Sequence, residues 1–71
     1  MDLLTITAID RDSSDTMSRT FSTNSVESFK KSVKDFEKDL PYRKYELMCD
    51  ELMEEYSKDI VNALDELEVT H

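Results

Sequence analysis

Leu3, Leu4, Thr5, Ile6, Thr7, Ala8 and Ile9 form a loose alternation of apolar and hydroxyl side chains, the pattern of a pleated, half-buried strand. Asp10 to Asp15 (DRDSSD) reads as a turn, because Asp and Ser close local bonds to the backbone and Asp tolerates the left-handed conformation that glycine usually supplies. Met17 to Phe21 predicts a returning strand, so residues 1–21 are expected to form a β-hairpin. An isolated hairpin is marginal in water and needs a helix face, or a second copy of itself, to pack on. Its threonine-rich edges would otherwise stay open.

Ser22 to Ser25 marks a helix start with two alternative caps: Asn24 with Glu27 three residues on, or Ser22 with Phe21 and Val26 as a hydrophobic staple. Val26, Phe29, Val33, Phe36 and Leu40 then recur at intervals of 3, 4, 3 and 4, one narrow stripe of a helix, with Lys31, Lys34 and Lys38 opposite. Pro41 ends that helix, since the residue before proline is pushed out of the α region, and proline is also welcome in the first turn of a following helix. A tight helix-to-helix corner is the expectation.

From Tyr42 to about Leu67 the pattern predicts one long amphipathic helix. Tyr45, Cys49, Leu52, Met53, Tyr56, Ile60, Ala63, Leu64 and Leu67 fall within an arc of about 120° at about 100° per residue. Leu47, Met48 and Val61 lie outside the arc, which fits a bent helix, a wider buried face or residues kept for a partner. The expected fold class is α+β, an N-terminal β-hairpin followed by two α-helices in ββαα order. It forms one domain over residues 1–71, with the hairpin at 1–21, the first helix at 22–40 and an acidic second helix at 41–68.

A chain of 71 residues buries only about 60% of its unfolded surface, so a homodimer is an expected way to cover the hairpin edges and the long helix stripe. The absence of glycine excludes the phosphate loop and the dinucleotide fingerprint, which need close backbone approach. One cysteine, Cys49, makes no internal disulfide, and with the single His71 it supplies no zinc ligand set. Asp10, Asp12, Ser14 and Asp15 resemble the start of a calcium loop, but Asp15 stands where glycine is needed and Phe21 where glutamate is needed. No metal or cofactor is therefore expected.

Carboxylate pairs such as Glu54 and Glu55 lack the opposed environments of an acid–base pair, and Cys49 has no histidine near it in sequence, so no enzyme is expected. Cys49 reads as a small buried hydrophobe, Tyr45 and Tyr56 as core residues, and His71 as a mobile terminal residue. Met1 to Ile9 lacks the basic start of a signal peptide and no apolar run is long enough for a bilayer, so the cytoplasm is the expected compartment.

Charge adds the most information. Residues 1–45 carry eight acids and eight bases, whereas residues 46–71 carry nine acids and one base, Lys58, so the net charge of −8 belongs to the last third. On a helix the acids Glu46, Asp50, Glu51, Glu54, Glu55 and Asp59 would form a ladder of rungs about 6 Å apart, with Asp65, Glu66 and Glu68 crowding the negative end of the dipole. Like charges four apart would cost such a helix about 1–2 kcal/mol in total, a penalty that points to a purpose other than folding. The plain alternative is a solvated helix face, which is what a charge run usually is.

In size, acidity and lack of glycine, and in the acids Glu46, Asp50, Glu51, Glu54, Glu55, Asp59, Asp65, Glu66 and Glu68, the chain resembles phage-encoded DNA-mimic proteins. That resemblance covers roughly a third of the sequence and rests on charge and size, with no diagnostic motif. Inhibitors of restriction or CRISPR enzymes belong to the class, but the chain looks most like small host-takeover proteins directed at the nucleoid protein HU. The resemblance implies that these nine acids bind a basic, nucleoid-associated DNA-binding protein in the host cytoplasm and exclude DNA from it by competition. Direct nucleic-acid binding is not expected, because the acids would repel phosphate. A rival reading, from a different class, is a structural or regulatory module, antitoxin-like or scaffold, that binds a partner through its apolar helix face.

Overall fold

The computed structural model describes residues 1–71. Two strands, β1 (Leu3–Asp10) and β2 (Thr16–Ser22), are followed by α1 (Val26–Asp39), β3 (Tyr45–Met48), one 3-10 turn (Met53–Glu55), α2 (Lys58–Glu66) and β4 (Val69–Thr70). The sheet order is β2-β1-β3-β4, with β1 antiparallel to both neighbours and β3 parallel to β4. The fold is α+β, with a four-stranded sheet and two helices.

Period-2 alternation makes the sheet one-sided. Leu4, Ile6 and Ala8 of β1, Phe21 of β2, Leu47 of β3 and Val69 of β4 are buried, in one core with Phe29, Val33 and Phe36 of α1 and Ile60, Ala63 and Leu64 of α2. Phe21 anchors the junction, its ring edge-on to Phe29 at 6.0 Å and to Phe36 at 5.7 Å. Each such aromatic, fully buried, contributes about 1.5–3 kcal/mol. On the opposite face, hydroxyls pair across β1 and β2, Thr5 with Thr20 at 2.9 Å and Thr7 with Ser18 at 2.8 Å.

The hairpin turn uses the chemistry its sequence offers. Asp10 accepts from the Asp12 N–H and the Ser13 hydroxyl, and Ser14 takes the left-handed position with φ 66°. Helix α1 starts at neither expected cap. Ser25 is the N-cap, its hydroxyl accepting from the Ser28 N–H, and the helix ends before Pro41 as expected, with Leu40 as C-cap.

The long acidic helix over 41–68 is not formed. Pro41 leads into a loop rather than a helix corner, and only Lys58–Glu66 is α-helical in that stretch. The physical reason lies in β1, whose second edge would otherwise hold unpaired backbone groups. Tyr45 to Met48 pairs with Thr7 to Asp10 and meets that need, turning Leu47 and Cys49 into the core; Leu47 is among the residues a helical arc left out. Ser57 then caps a shorter helix through its hydroxyl and the Ile60 N–H. With 46–57 outside any α-helix, the like-charge pairs four apart are not helix neighbours, and the folding penalty attributed to them does not exist.

Strand β3 covers only half of β1, and the segment 49–57 covers the rest. The Tyr56 hydroxyl donates to the Leu3 carbonyl at 2.7 Å, the Glu51 carboxylate accepts from the Thr5 N–H at 2.7 Å, and Met1 N donates to the Glu55 carbonyl at 3.0 Å. This strap holds the first half of β1 through the Tyr56 and Glu51 side chains, where a strand would use its backbone, and holds Met1 through the Glu55 carbonyl.

Candidate functional site

Residues 46–71 supply β3, the strap, α2 and β4, which lie together at one edge of the sheet. The nine acids expected to bind a partner are therefore distributed over β3, the strap, α2 and the turn into β4 rather than aligned on one helix. Glu46 leads into Leu47 and Glu68 into Val69, which are register partners, and the two acids share a cleft with Arg11, Glu37 and Tyr45. Asp50, Glu51, Glu54 and Glu55 belong to the other end of β3 and the strap, and Asp59 to the first turn of α2, where the helix dipole favours an acid.

Three of the nine have internal partners. Glu51 holds the Thr5 N–H, Glu66 pairs with Lys30 at 2.6 Å, and Asp65 lies 2.8 Å from His71 Nε2. His71, expected to be mobile, is tied there. The hydrogen bond to Glu66 raises the pKa of Lys30. Glu46, Asp50, Glu54, Glu55, Asp59 and Glu68 are all exposed, and none makes a salt bridge or side-chain hydrogen bond. Among the bases without a salt bridge, Lys58 opens α2 beside Asp59 and Arg11 lines the cleft with Glu46 and Glu68, while Lys31, Lys34 and Lys38 are exposed on α1 and Arg43 and Lys44 line a recess with Asp12 at the hairpin turn.

Exposed apolar side chains accompany the acids. Met1, Leu3 and Leu52 are 67%, 59% and 61% exposed, Leu52 in the strap and Met1 and Leu3 in the N-terminal residues it holds, while Met17 of β2 is also exposed. Sequence reasoning placed Leu52 in the buried arc and did not single out Met1 or Leu3 as surface residues.

The apolar helix faces are not free for a partner. Phe29, Val33, Phe36, Ile60, Ala63 and Leu64 are each no more than 2% exposed, consumed by the chain's own core. Cys49 is buried, which raises its thiol pKa. Tyr56 is pushed up to about 12 by burial and then by the neighbouring Glu51 carboxylate, and Tyr45 to about 12 chiefly by donating to Glu37 at 2.7 Å. Tyr42, half-buried, is raised by burial and by Asp15 and Asp10. No cluster of three or more His, Cys, Asp or Glu side chains is placed to hold a metal ion, and no helix is long and apolar enough to cross a membrane.

No protein-family model, curated protein or solved structure matches this chain.

Proposed function

We propose that the protein is a non-enzymatic inhibitor that mimics DNA, occupying the basic surface of a DNA-binding protein such as a nucleoid-associated protein of a bacterial host. The observation that carries the reading is the group of six exposed, unpaired carboxylates at the β3–α2–β4 edge, Glu46, Asp50, Glu54, Glu55, Asp59 and Glu68. A solubility coat has no need of one side, whereas charge confined to one edge creates a directional field. The exposed Met1, Leu3 and Leu52 beside Glu54 and Glu55 favour a protein as the client, since apolar contact at the centre of a charged rim is how protein interfaces are built.

Scale supports the reading too. The long axis is 33 Å, close to the roughly 34 Å of one duplex turn. One such turn carries about 20 phosphates against the net charge of −8 here, so a single copy imitates part of a turn and a homodimer would imitate more. Mechanistically, the carboxylates pair with Lys and Arg that otherwise hold phosphate, and no bond is made or broken.

The test is competition. Fluorescent duplex DNA bound to a bacterial nucleoid-associated protein is titrated with the purified chain at about 50 mM and then at about 500 mM salt, where the Debye length falls from about 14 Å to about 4 Å. Displacement at low salt that is lost at high salt is expected. Displacement unaffected by salt, or none with several basic DNA-binding proteins, overturns the reading.

A further inference from the structure

The two edges of the sheet are unlike. The β4 edge is two residues long, while β2 presents seven residues with no proline and no bulge in its register against β1. The direction of its backbone groups follows from the ladder. Asp10 N–H donates to the Asp15 carbonyl and Thr23 N–H to the Asp2 carbonyl, so Met17, Arg19 and Phe21 point their N–H and C=O groups at β1. The backbone groups of Thr16, Ser18, Thr20 and Ser22 point outward and have no partner in the chain.

We propose that β2 pairs with β2 of a second copy, antiparallel and about a two-fold axis at Thr20, joining two sheets into one of eight strands. Charge selects a like copy at this edge. Each chain carries −8, and the acids responsible lie around β3 and β4, at the far side of the sheet, so β2 is where two copies approach with least repulsion. An antiparallel edge is also self-complementary, as a two-fold interface requires.

The register follows from the helix side of the strand. A two-fold at Arg19 would set Arg19 against its own copy, and like charges directly opposite are unfavourable. A two-fold at Thr20 instead sets Arg19 opposite Phe21 of the second copy. Within its own chain Arg19 lies over the Phe36 ring and meets Asp39 at 3.4 Å, and the groove between β2 and α1 of the second copy, lined by Arg19, Thr20, Phe21, Ser22, Ser32 and Asp35, adds the Asp35 carboxylate, which makes no salt bridge within its own chain. The pairing places the two acidic edges at the outer ends of the joined sheet and stands whether or not the client is a DNA-binding protein.

Two measurements test it on the full chain. Thr20→Pro removes an outward N–H that β1 does not use, and proline is tolerated at such edge positions. Sedimentation from about 5 μM to 500 μM, in a range suited to a small edge-to-edge interface, is expected to show a concentration-dependent dimer. Its dissociation constant should rise at least tenfold in Thr20→Pro at an unchanged far-UV spectrum. Should that variant misfold, cysteine cross-linking decides. Thr20→Cys places two thiols on residues about 5.5 Å apart, within disulfide range, whereas Ser18→Cys faces Ser22 and stays out of reach. Oxidation that couples Thr20→Cys and spares Ser18→Cys supports the pairing. A monomer throughout the concentration range, a dimer indifferent to Thr20→Pro, or coupling at Ser18→Cys in preference to Thr20→Cys overturns it.

Discussion

Replacing Glu51 by Ala probes the strap directly. In the folded chain the Glu51 carboxylate accepts the Thr5 N–H at 2.7 Å in a partly buried setting, on the half of β1 that β3 does not reach. Hydrogen bonds to charged groups contribute about 1.5–3 kcal/mol, and the partial access of water puts this one near the lower end, about 1.5 kcal/mol. For a domain of this size that is a fall in melting temperature of about 6–12 °C. Glu51→Gln keeps an acceptor without the charge and should lose about half as much. Glu54→Ala, three residues on and without a partner, should change stability by less than about 0.5 kcal/mol. Thermal and urea unfolding followed by circular dichroism measure the losses, and amide exchange at Thr5 locates them, since its N–H should exchange faster in Glu51→Ala. Equal midpoints for Glu51→Ala and Glu54→Ala, with Thr5 exchange unchanged, would refute the strap.

Two tyrosines report on alkaline stability. Both Tyr45 and Tyr56 sit near 12 in the folded state against the ordinary 10, so their neutral forms favour folding. Their contribution is fully present below pH 10 and is lost as the pH rises through 12, so the unfolding midpoint should fall over that window. Absorbance titration near 295 nm should show both phenols ionising about two pH units late, and titration of all three tyrosines near 10 in folded protein would contradict the burial. Glu68 stands just past the end of α2 with φ 60°, a conformation glycine adopts without the side-chain clash. Glu68→Gly should therefore stabilise by up to about 1 kcal/mol, and a measurable destabilisation would show that the Glu68 side chain supports the fold.

The hairpin and first helix were legible because each carries one clean period. Thr5, Thr7 and Ile9 alternate with Leu4, Ile6 and Ala8, and Val26 to Leu40 keeps strict helical spacing up to Pro41. The second half carries two periods overlaid. Tyr45, Leu47 and Cys49 alternate as a strand, while Cys49, Met53, Tyr56, Ile60 and Ala63 also fit a helix, and the longer pattern prevailed in the reading. Leu47 outside the helical arc and Ser57 just before Asp59 and Ile60 were the residues that argued for the shorter elements. What decided the outcome was non-local, the open edge of β1, which no window of the sequence around residue 45 contains.

The acids show the same division. Their confinement to residues 46–68 was readable as a count, and that segment folds into the contiguous β3–α2–β4 unit. Their ladder geometry rested on a helix and did not survive. Which of them are engaged depended on distant partners, Thr5 for Glu51, Lys30 for Glu66 and His71 for Asp65.

DNA mimicry is tested most directly by replacing Glu46, Asp50, Glu54, Glu55, Asp59 and Glu68 together by Gln, which takes the net charge from −8 to −2 and spares Glu51, Asp65 and Glu66, the three of the nine with internal partners. The quantity to measure is the concentration at which this variant and the natural chain displace duplex DNA from the same nucleoid-associated protein at about 50 mM salt. An unchanged fold by circular dichroism and at least a tenfold loss of displacement are expected. A folded variant that displaces DNA as well as the natural chain would contradict mimicry.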